Sequence, residues 1–257
     1  MTATVRAEWT KLRTLPSTAW LLIAAVAGTI AVSAIVAAAW HINRGSTADP
    51  TKLSLTGTYL GQAVIAVLAV LTISEEYGTG MIRTTLTAMP RRINLLAAKA
   101  ATLAGISVPV GLVAVAGCLI AGRLLLPHAG LNPAHGYPLI ALDHPATLRA
   151  AAGTVIYLIL IALLSLGIAT ITRETAVSIG AVFGLLYLPP IAAQLIHDPT
   201  WRRHIQQLAP MTAGLAIQAT RNLHTLPIAP WAGLGVLAAW AAAALLAGGL
   251  LLRLRDA

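Results

Sequence analysis

Residues 20–40, "WLLIAAVAGTIAVSAIVAAAW", decide the fold class of this chain. They contain no Asp, Glu, Lys or Arg. As an α-helix the stretch would be about 31 Å long, which is the thickness of the hydrocarbon core of a bilayer. Trp20 and Trp40 stand at its two ends, where tryptophans favour the membrane–water interface. The stretch therefore predicts a membrane-spanning helix.

The composition extends this prediction to the whole chain. Of the 257 residues, 58% are hydrophobic and 10% are charged, and the mean hydropathy is +0.81. Soluble domains carry about 25% charged residues. The apolar runs predict an all-α membrane protein with one polytopic domain over 1–257. Its six spans are predicted at about 20–42, 57–74, 98–121, 150–171, 176–196 and 230–252.

The basic residues indicate an orientation. If the N-terminus is cytoplasmic, ten Lys and Arg residues lie inside and seven lie in the longer outer loops. Six spans then place both termini in the cytoplasm, in a bacterial cell membrane. The net charge of +9 sits mainly between apolar runs, where it orients helices and meets lipid headgroups. It does not indicate nucleic-acid binding.

The segment before the first span, residues 1–19, is amphipathic. In "TVRAEWTKLRTLP" the apolar residues Val5, Trp9 and Leu12 are spaced as on one helical face, with Lys11 elsewhere. We expect an interfacial helix here, followed by an uncleaved first span rather than a signal peptide. A basic anchor that only sets the topology is the alternative. The interfacial residues we single out are Glu8, Trp9, Lys11 and Leu12.

Prolines and glycines mark further features of the spans. Pro189 and Pro190 predict a kink or an end in the fifth span. Residues 197–229 are too apolar for a fully solvated loop, so partly inserted outer helices packed in protein are expected there. The pairs Gly57/Gly61 and Gly180/Gly184 have the spacing of close helix packing, although such matches are common in a chain rich in Gly and Ala.

The middles of the predicted spans carry no Asp, Glu, Lys, Arg or His, which argues against ion-coupled transport. Their mildly polar residues either bond neighbouring helices or line a pathway for an amphiphilic substrate. The candidates for such a lining are Gln62, Tyr157, Ser165, Ser178, Tyr187 and Gln194.

No cofactor or enzymatic activity is expected in this chain. The three lysines follow Thr, Thr and Ala, so there is no Gly-Lys phosphate-binding loop. Any ATP and Mg would have to be bound by a partner. The single cysteine, Cys118, excludes an intrachain disulfide and a four-cysteine metal site, and no metal is expected.

One polar segment interrupts the apolar pattern: "ISEEYGTGMIRTTLTAMPRR", residues 73–92. It begins with two acids, and its glycines permit a sharp turn. Ile82, Leu86 and Met89 are spaced as one apolar stripe, Arg83 points elsewhere, and Pro90 ends the helix. We therefore predict a short amphipathic helix, which could fit a groove on a soluble partner.

This segment resembles the first cytoplasmic loop of ABC-2 type transporter permeases. The resemblance is carried by Glu76, Tyr77, Gly80, Arg83, Leu86, Pro90, Arg91 and Lys99. Met81 departs from the family pattern, in which Gly-Thr is more commonly followed directly by Ile or Leu and then Arg. The opening "AEWTKLRTLPSTAW" resembles the N-terminal helix of the same family, through Glu8, Lys11, Leu12 and Trp20.

The resemblance implies a mechanism. Two permease chains, identical or different, would associate with two cytoplasmic ATP-binding subunits. The helix in the first cytoplasmic loop would contact the ATPase and transmit its closure to the spans. The coupling residues implied are Glu75, Glu76, Tyr77, Gly80, Ile82, Arg83, Leu86, Met89, Pro90 and Arg91. Export of an amphiphilic or hydrophobic substrate, such as a drug or a peptide, is the expected activity.

Two other classes of function remain open on the sequence. Adjacent glutamates also occur in intramembrane proteases, but the predicted topology places all seven histidines on the opposite side of the membrane from Glu75 and Glu76. A membrane scaffold or sensor that transports nothing is the other alternative, because the outer histidines could respond to pH or metal.

Overall fold

The computed structural model describes residues 10, 16–41, 48–78, 92–135, 137 and 139–254. Across these residues the chain is helical and has no strand. The six long helices are α1 (Pro16–Ala39), α3 (Thr58–Gly78), α4 (Arg92–Leu125), α5 (Pro145–Thr172), α6 (Thr175–Leu195) and α9 (Pro230–Leu254). The short ones are α2 (Pro50–Ser54), α7 (Pro199–Leu208) and α8 (Pro210–Leu215), with 3-10 turns at Pro133–His135, Ala216–Gln218 and Leu223–Thr225.

Each of the six long helices is long and apolar enough to cross a membrane, in agreement with the six predicted spans. Helix α4 differs most from its prediction. It has 34 residues and is about 51 Å long, whereas hydropathy predicted 98–121. Hydropathy ends a span at charged residues, but a helix continues as long as its backbone hydrogen bonds are made.

The predicted break at Pro189 and Pro190 does not end α6, which continues through both prolines to Leu195. Each proline removes one backbone hydrogen bond in the last turns of the helix. In an apolar surrounding the remaining backbone groups have no water to bind, so helical hydrogen bonding stays favourable beyond the prolines.

Helix α5 lies at the centre of the bundle and packs against α3, α4, α6 and α9. Small residues allow the closest approaches. A Cβ atom on Gly167 of α5 would lie 2.6 Å from the backbone of Ala244 in α9. A Cβ atom on Gly61 of α3 would lie 2.3 Å from Oγ1 of Thr29 in α1. The pair Gly57/Gly61 is therefore a true packing motif.

The pair Gly180/Gly184 is not such a motif. A Cβ atom on Gly180 would meet nothing within 4 Å, and one on Gly184 would meet only Leu188 of its own helix, at 3.6 Å. This face of α6 also exposes Val177, Leu188 and Ile191.

The bundle has two ends, named here after one residue at each. The Glu76 end contains the end of α3, the start of α4, the α5–α6 turn and the end of α9. The Asp49 end contains the described residues of the connections 40–57, 126–144 and 196–229.

The long segment between α6 and α9 folds back into the protein at the Asp49 end. Helix α7 is mostly exposed, but residues 209–219 are buried apart from half-buried Thr212. They pack against α5 and α9. Buried polar contacts hold them: the Gln218 side chain donates to Thr58 at 3.2 Å and to Thr154 at 3.3 Å. This confirms the prediction of helices packed in protein within 197–229.

Candidate functional site

A buried ion pair joins α3 to α4 at the Glu76 end. Lys99 Nζ lies 2.7 Å from Glu76 Oε1 and donates to the backbone oxygen of Thr72 at 3.1 Å. The side chains of Lys99 and Glu76 are 0% and 3% exposed. Removing two charges from water is costly unless they are paired and hydrogen-bonded. The pair therefore links α3 and α4, the two helices that residues 79–91 connect.

Helical spacing explains why the lysine can bind both groups. Thr72 and Glu76 are four residues apart and lie on one face of α3, so Lys99 reaches a carbonyl and a carboxylate on adjacent turns. Glu75 projects elsewhere and is exposed. The two adjacent acids thus have different environments, and Glu76 is the one directed into the bundle.

Lys99 is one of the ten Lys and Arg residues that the predicted topology places on the cytoplasmic side. In the structure it lies inside α4, two turns after its start, and is fully buried. Its position does not conflict with its charge, because Glu76 neutralises it. The only sequence signal for this partnership is the family motif, in which both positions occur.

A second contact at this end involves Arg173, which is also one of the ten Lys and Arg residues that the predicted topology places on the cytoplasmic side. Arg173 ends α5 with φ 62°, in the left-handed region. Its guanidinium lies 5.3 Å from the ring centre of Tyr77 in α3 and donates to the backbone oxygen of Leu251 in α9 at 3.4 Å. Such a cation–π contact adds to the hydrogen bond. Arg173 therefore connects α3, α5 and α9 at the same level as the ion pair.

The next residue sets the start of α6. The carboxylate of Glu174 accepts hydrogen bonds from the backbone nitrogens of Ala176 at 3.1 Å and Val177 at 2.7 Å. This is a helix N-cap with favourable charge at the positive end of the helix dipole. The turn Arg173–Glu174 thus ends one span and begins the next.

Of the predicted coupling residues, the structure places Glu75, Glu76 and Tyr77 at the end of α3. The remaining coupling residues, Gly80, Ile82, Arg83, Leu86, Met89, Pro90 and Arg91, lie outside the described residues. The same holds for the interfacial residues Glu8, Trp9, Lys11 and Leu12. The predicted interfacial helix and coupling helix therefore stay predictions.

The six candidate pathway residues are not all together. Tyr157 of α5 donates to the Gln62 side chain of α3, and Gln62 in turn donates to Met211 Sδ at 3.3 Å. The hydroxyl of half-buried Tyr187 in α6 donates to the backbone oxygen of Tyr59 at 2.7 Å, and Tyr59 lies one turn before Gln62 on α3. Gln62, Tyr157 and Tyr187 thus lie near the start of α3.

The other three candidates lie apart from this group. Ser165 is buried and donates to the backbone oxygen of Ile161 in its own helix. Ser178 is buried near the Glu76 end, where its hydroxyl contacts Thr172. Gln194 is exposed near the end of α6. Ser178 bonds a residue of a neighbouring helix, as do Gln62 and Tyr157, whereas Ser165 bonds only within α5.

At the Asp49 end, one carboxylate joins two loops that are far apart in sequence. The Asp49 carboxylate caps α2 by accepting a hydrogen bond from the backbone nitrogen of Lys52 at 3.2 Å. It also accepts hydrogen bonds from the Thr220 hydroxyl at 2.7 Å and from the backbone nitrogen of Arg221 at 2.9 Å. Sequence reasoning missed this contact, because no local pattern links residues separated by 171 positions.

The histidines bear on the protease alternative. All seven lie in or beside the connections of the Asp49 end, across the bundle from Glu75 and Glu76. Among the described residues, no group of three His, Cys, Asp or Glu side chains could hold a metal ion.

Comparison with known proteins identifies a family. A family model described as "ABC-2 family transporter protein" matches residues 4–189, which is more than half of the chain. The match runs from the N-terminal segment through the ion pair into α6. No curated protein matches the chain significantly.

Proposed function

Because the chain belongs to the ABC-2 family of transporter proteins, we propose that it is a permease subunit driven by a separate ATP-binding subunit. Six apolar helices make it a multi-pass membrane protein. Residues 79–91 are the proposed contact for the ATPase, and ATP and Mg bind to that partner. The chain itself then has no enzymatic activity.

The buried pair Glu76–Lys99 is the observation that carries this proposal. It joins the two helices that flank residues 79–91 by a 2.7 Å contact without solvent. Arg173 ties the same end of α3 to α5 and α9. A displacement of the 79–91 segment by a partner would therefore move four spans together, because packed side chains transmit strain instead of absorbing it.

The basic residues support an orientation for this assembly. By sequence, ten Lys and Arg residues fall in the segments on the Glu76 side of the predicted spans and seven on the other side, so we place the Glu76 end, and both termini, in the cytoplasm. The membrane would be the bacterial cell membrane. A second permease chain, identical or different, completes the complex.

We further propose that the cargo is amphiphilic or hydrophobic and is exported, as in multidrug or peptide efflux. The six spans are apolar, which suits a cargo with few charges. Gln62 and Tyr157 are fully buried and hydrogen-bonded to each other, so they hold α3 to α5, and of the three polar residues near the start of α3 only Tyr187 is half-buried.

Purification of the tagged chain from its native membranes in mild detergent, followed by mass spectrometry, tests the partner. We expect a stoichiometric soluble ATPase in the wild type and its loss in Arg83→Glu. Arg253→Glu is the matched control, because Arg253 is exposed at the same end and lies outside the family motif. Loss of the ATPase in both variants, or in neither, would contradict a specific contact at residues 79–91.

A charge reversal at Glu76 is less suitable than Arg83→Glu for this co-purification test, although Glu76 also belongs to the family motif. Charge reversal there would bring a second ammonium group beside Lys99 in a buried position and disturb the bundle itself. Absence of an ATPase from wild-type complexes that otherwise stay intact would favour the scaffold alternative.

A further inference from the structure

Helix α7, Pro199–Leu208, is an amphipathic helix with an apolar face that the rest of the described chain leaves open. Asp198 caps it by accepting from the Thr200 nitrogen at 2.7 Å. Trp201 and Leu208 are seven residues apart, on one face, and are 65% and 63% exposed. Large apolar side chains exposed on one face are typical of a surface that contacts a membrane or another protein.

Two arginines lie to the side of this apolar face and behind it, at about 100° and 200° around the helix from Trp201. Arg202 and Arg203 follow Trp201 and are exposed. From residue 199 to residue 254 the sequence has no Asp or Glu, and the nearest acid, Asp198, is used in the cap. Among the described residues neither arginine forms an ion pair. The surface thus presents two uncompensated cations.

Hydrogen bonds fix α7 beside a membrane-spanning helix. Trp240, in the middle of α9, donates from its indole nitrogen to the backbone oxygen of Leu208 at 3.0 Å. Gln207 donates to the backbone oxygen of Pro227, just before α9, at 2.7 Å. The C-terminal end of α7 is therefore held against α9, between the start of that span and its middle.

We propose that α7 lies in the membrane interface at the Asp49 end and that Arg202 and Arg203 bind the phosphate of an anionic phospholipid there. Trp201 and Leu208 enter the acyl region, and the two guanidinium groups stay at headgroup level. Apolar and basic faces on one short helix match the two parts of such a lipid.

The chain continues from α7 directly into the core. Ala209 both ends α7 and begins α8, and it is buried. Residue Met211 of α8 accepts a hydrogen bond from Gln62. The proposed lipid-binding helix is therefore directly continuous with the buried segment that contacts α3 and α5.

Tryptophan quenching by brominated lipids tests this proposal. The full chain is reconstituted in phosphatidylcholine vesicles that contain either brominated phosphatidylglycerol or brominated phosphatidylcholine at an equal fraction. The contribution of Trp201 is the difference between the wild type and Trp201→Phe. We expect phosphatidylglycerol to quench it with the higher apparent affinity, by about five-fold for each arginine.

The variant Arg202→Gln/Arg203→Gln should bring the affinity ratio of the two lipids close to one. Lys52→Gln is the matched control, because Lys52 is exposed at the same end but belongs to α2, and the ratio should not change. A ratio near one in the wild type, or one unaffected by the arginine substitutions, would overturn the proposal. Absence of Trp201 quenching by both lipids would place α7 outside the bilayer and would also overturn it.

Discussion

At the scale of single residues, Lys99 and Glu76 depend on each other, because both are withdrawn from solvent. A buried ion pair is weak evidence for stability as such, since desolvation offsets much of the attraction. Losing one partner is different, because it leaves the other charge without its closest counter-ion. The pair is therefore best understood as a specific connection between α3 and α4.

This dependence predicts an asymmetric mutational response. Lys99→Met should lower the free energy of unfolding by about 3–5 kcal/mol, because Glu76 stays buried without its lysine. Glu76→Gln/Lys99→Met should recover much of that loss, since neither position then carries a charge. Thermal unfolding of the detergent-purified protein measures both effects.

Lys52→Met is the control for this series, because Lys52 is exposed, and its effect should stay within about 0.5 kcal/mol. Equal stability of Lys99→Met and Lys52→Met would show that the buried pair contributes nothing to the fold.

At the scale of helices, α1 and α3 approach each other at Gly57 and Gly61. A Cβ atom on Gly57 would lie 1.9 Å from the backbone oxygen of Thr29, which cannot move aside without moving α1. In lipid, such close contacts replace the hydrophobic effect as the force that associates helices. Gly180 has the same local sequence signal but faces open space.

The two glycines should therefore respond in opposite ways to the same substitution. Gly61→Ala should destabilise the protein by about 1–3 kcal/mol, because its methyl group would overlap the Thr29 side chain. Gly180→Ala should be neutral or slightly stabilising, since Ala is the better helix former. Unfolding of the two variants under the same conditions makes the comparison, and equal losses of stability would refute it.

At the scale of the whole molecule, six spans alternate in direction, so polar contacts separate into two groups. Glu76, Lys99 and Arg173 meet at one end, and Asp49 and Thr220 meet at the other. The proposed orientation, which follows the positive-inside rule, puts the first end in the cytoplasm.

Labelling of introduced cysteines checks this orientation. Asp143→Cys should react with a membrane-impermeant maleimide in intact cells, whereas Arg253→Cys should react only after permeabilisation. Both native residues are exposed, and the only native cysteine, Cys118, is buried and gives little background. Reaction of both variants from one side would contradict the alternation of six spans.

The sequence by itself determined the number and order of the spans, since hydropathy is a local property that a short window reports. It also determined the family, through the motif around Glu76 and Lys99. It placed five of the six helices within about five residues of their ends, within the usual uncertainty of boundaries or slightly beyond it. The sixth, α4, begins six residues before its predicted start and ends four after its predicted end, because a helix can continue beyond the apolar window that hydropathy detects.

Only the tertiary structure decided which of two residues with the same local sequence pattern makes a contact inside the bundle. It distinguished Gly61 from Gly180 and Glu76 from Glu75, and it brought Asp49 to Thr220. Each of these outcomes depends on a partner 23 to 171 residues away. Local sequence patterns carry no information on such partners, because packing in three dimensions, and not periodicity along the chain, selects them.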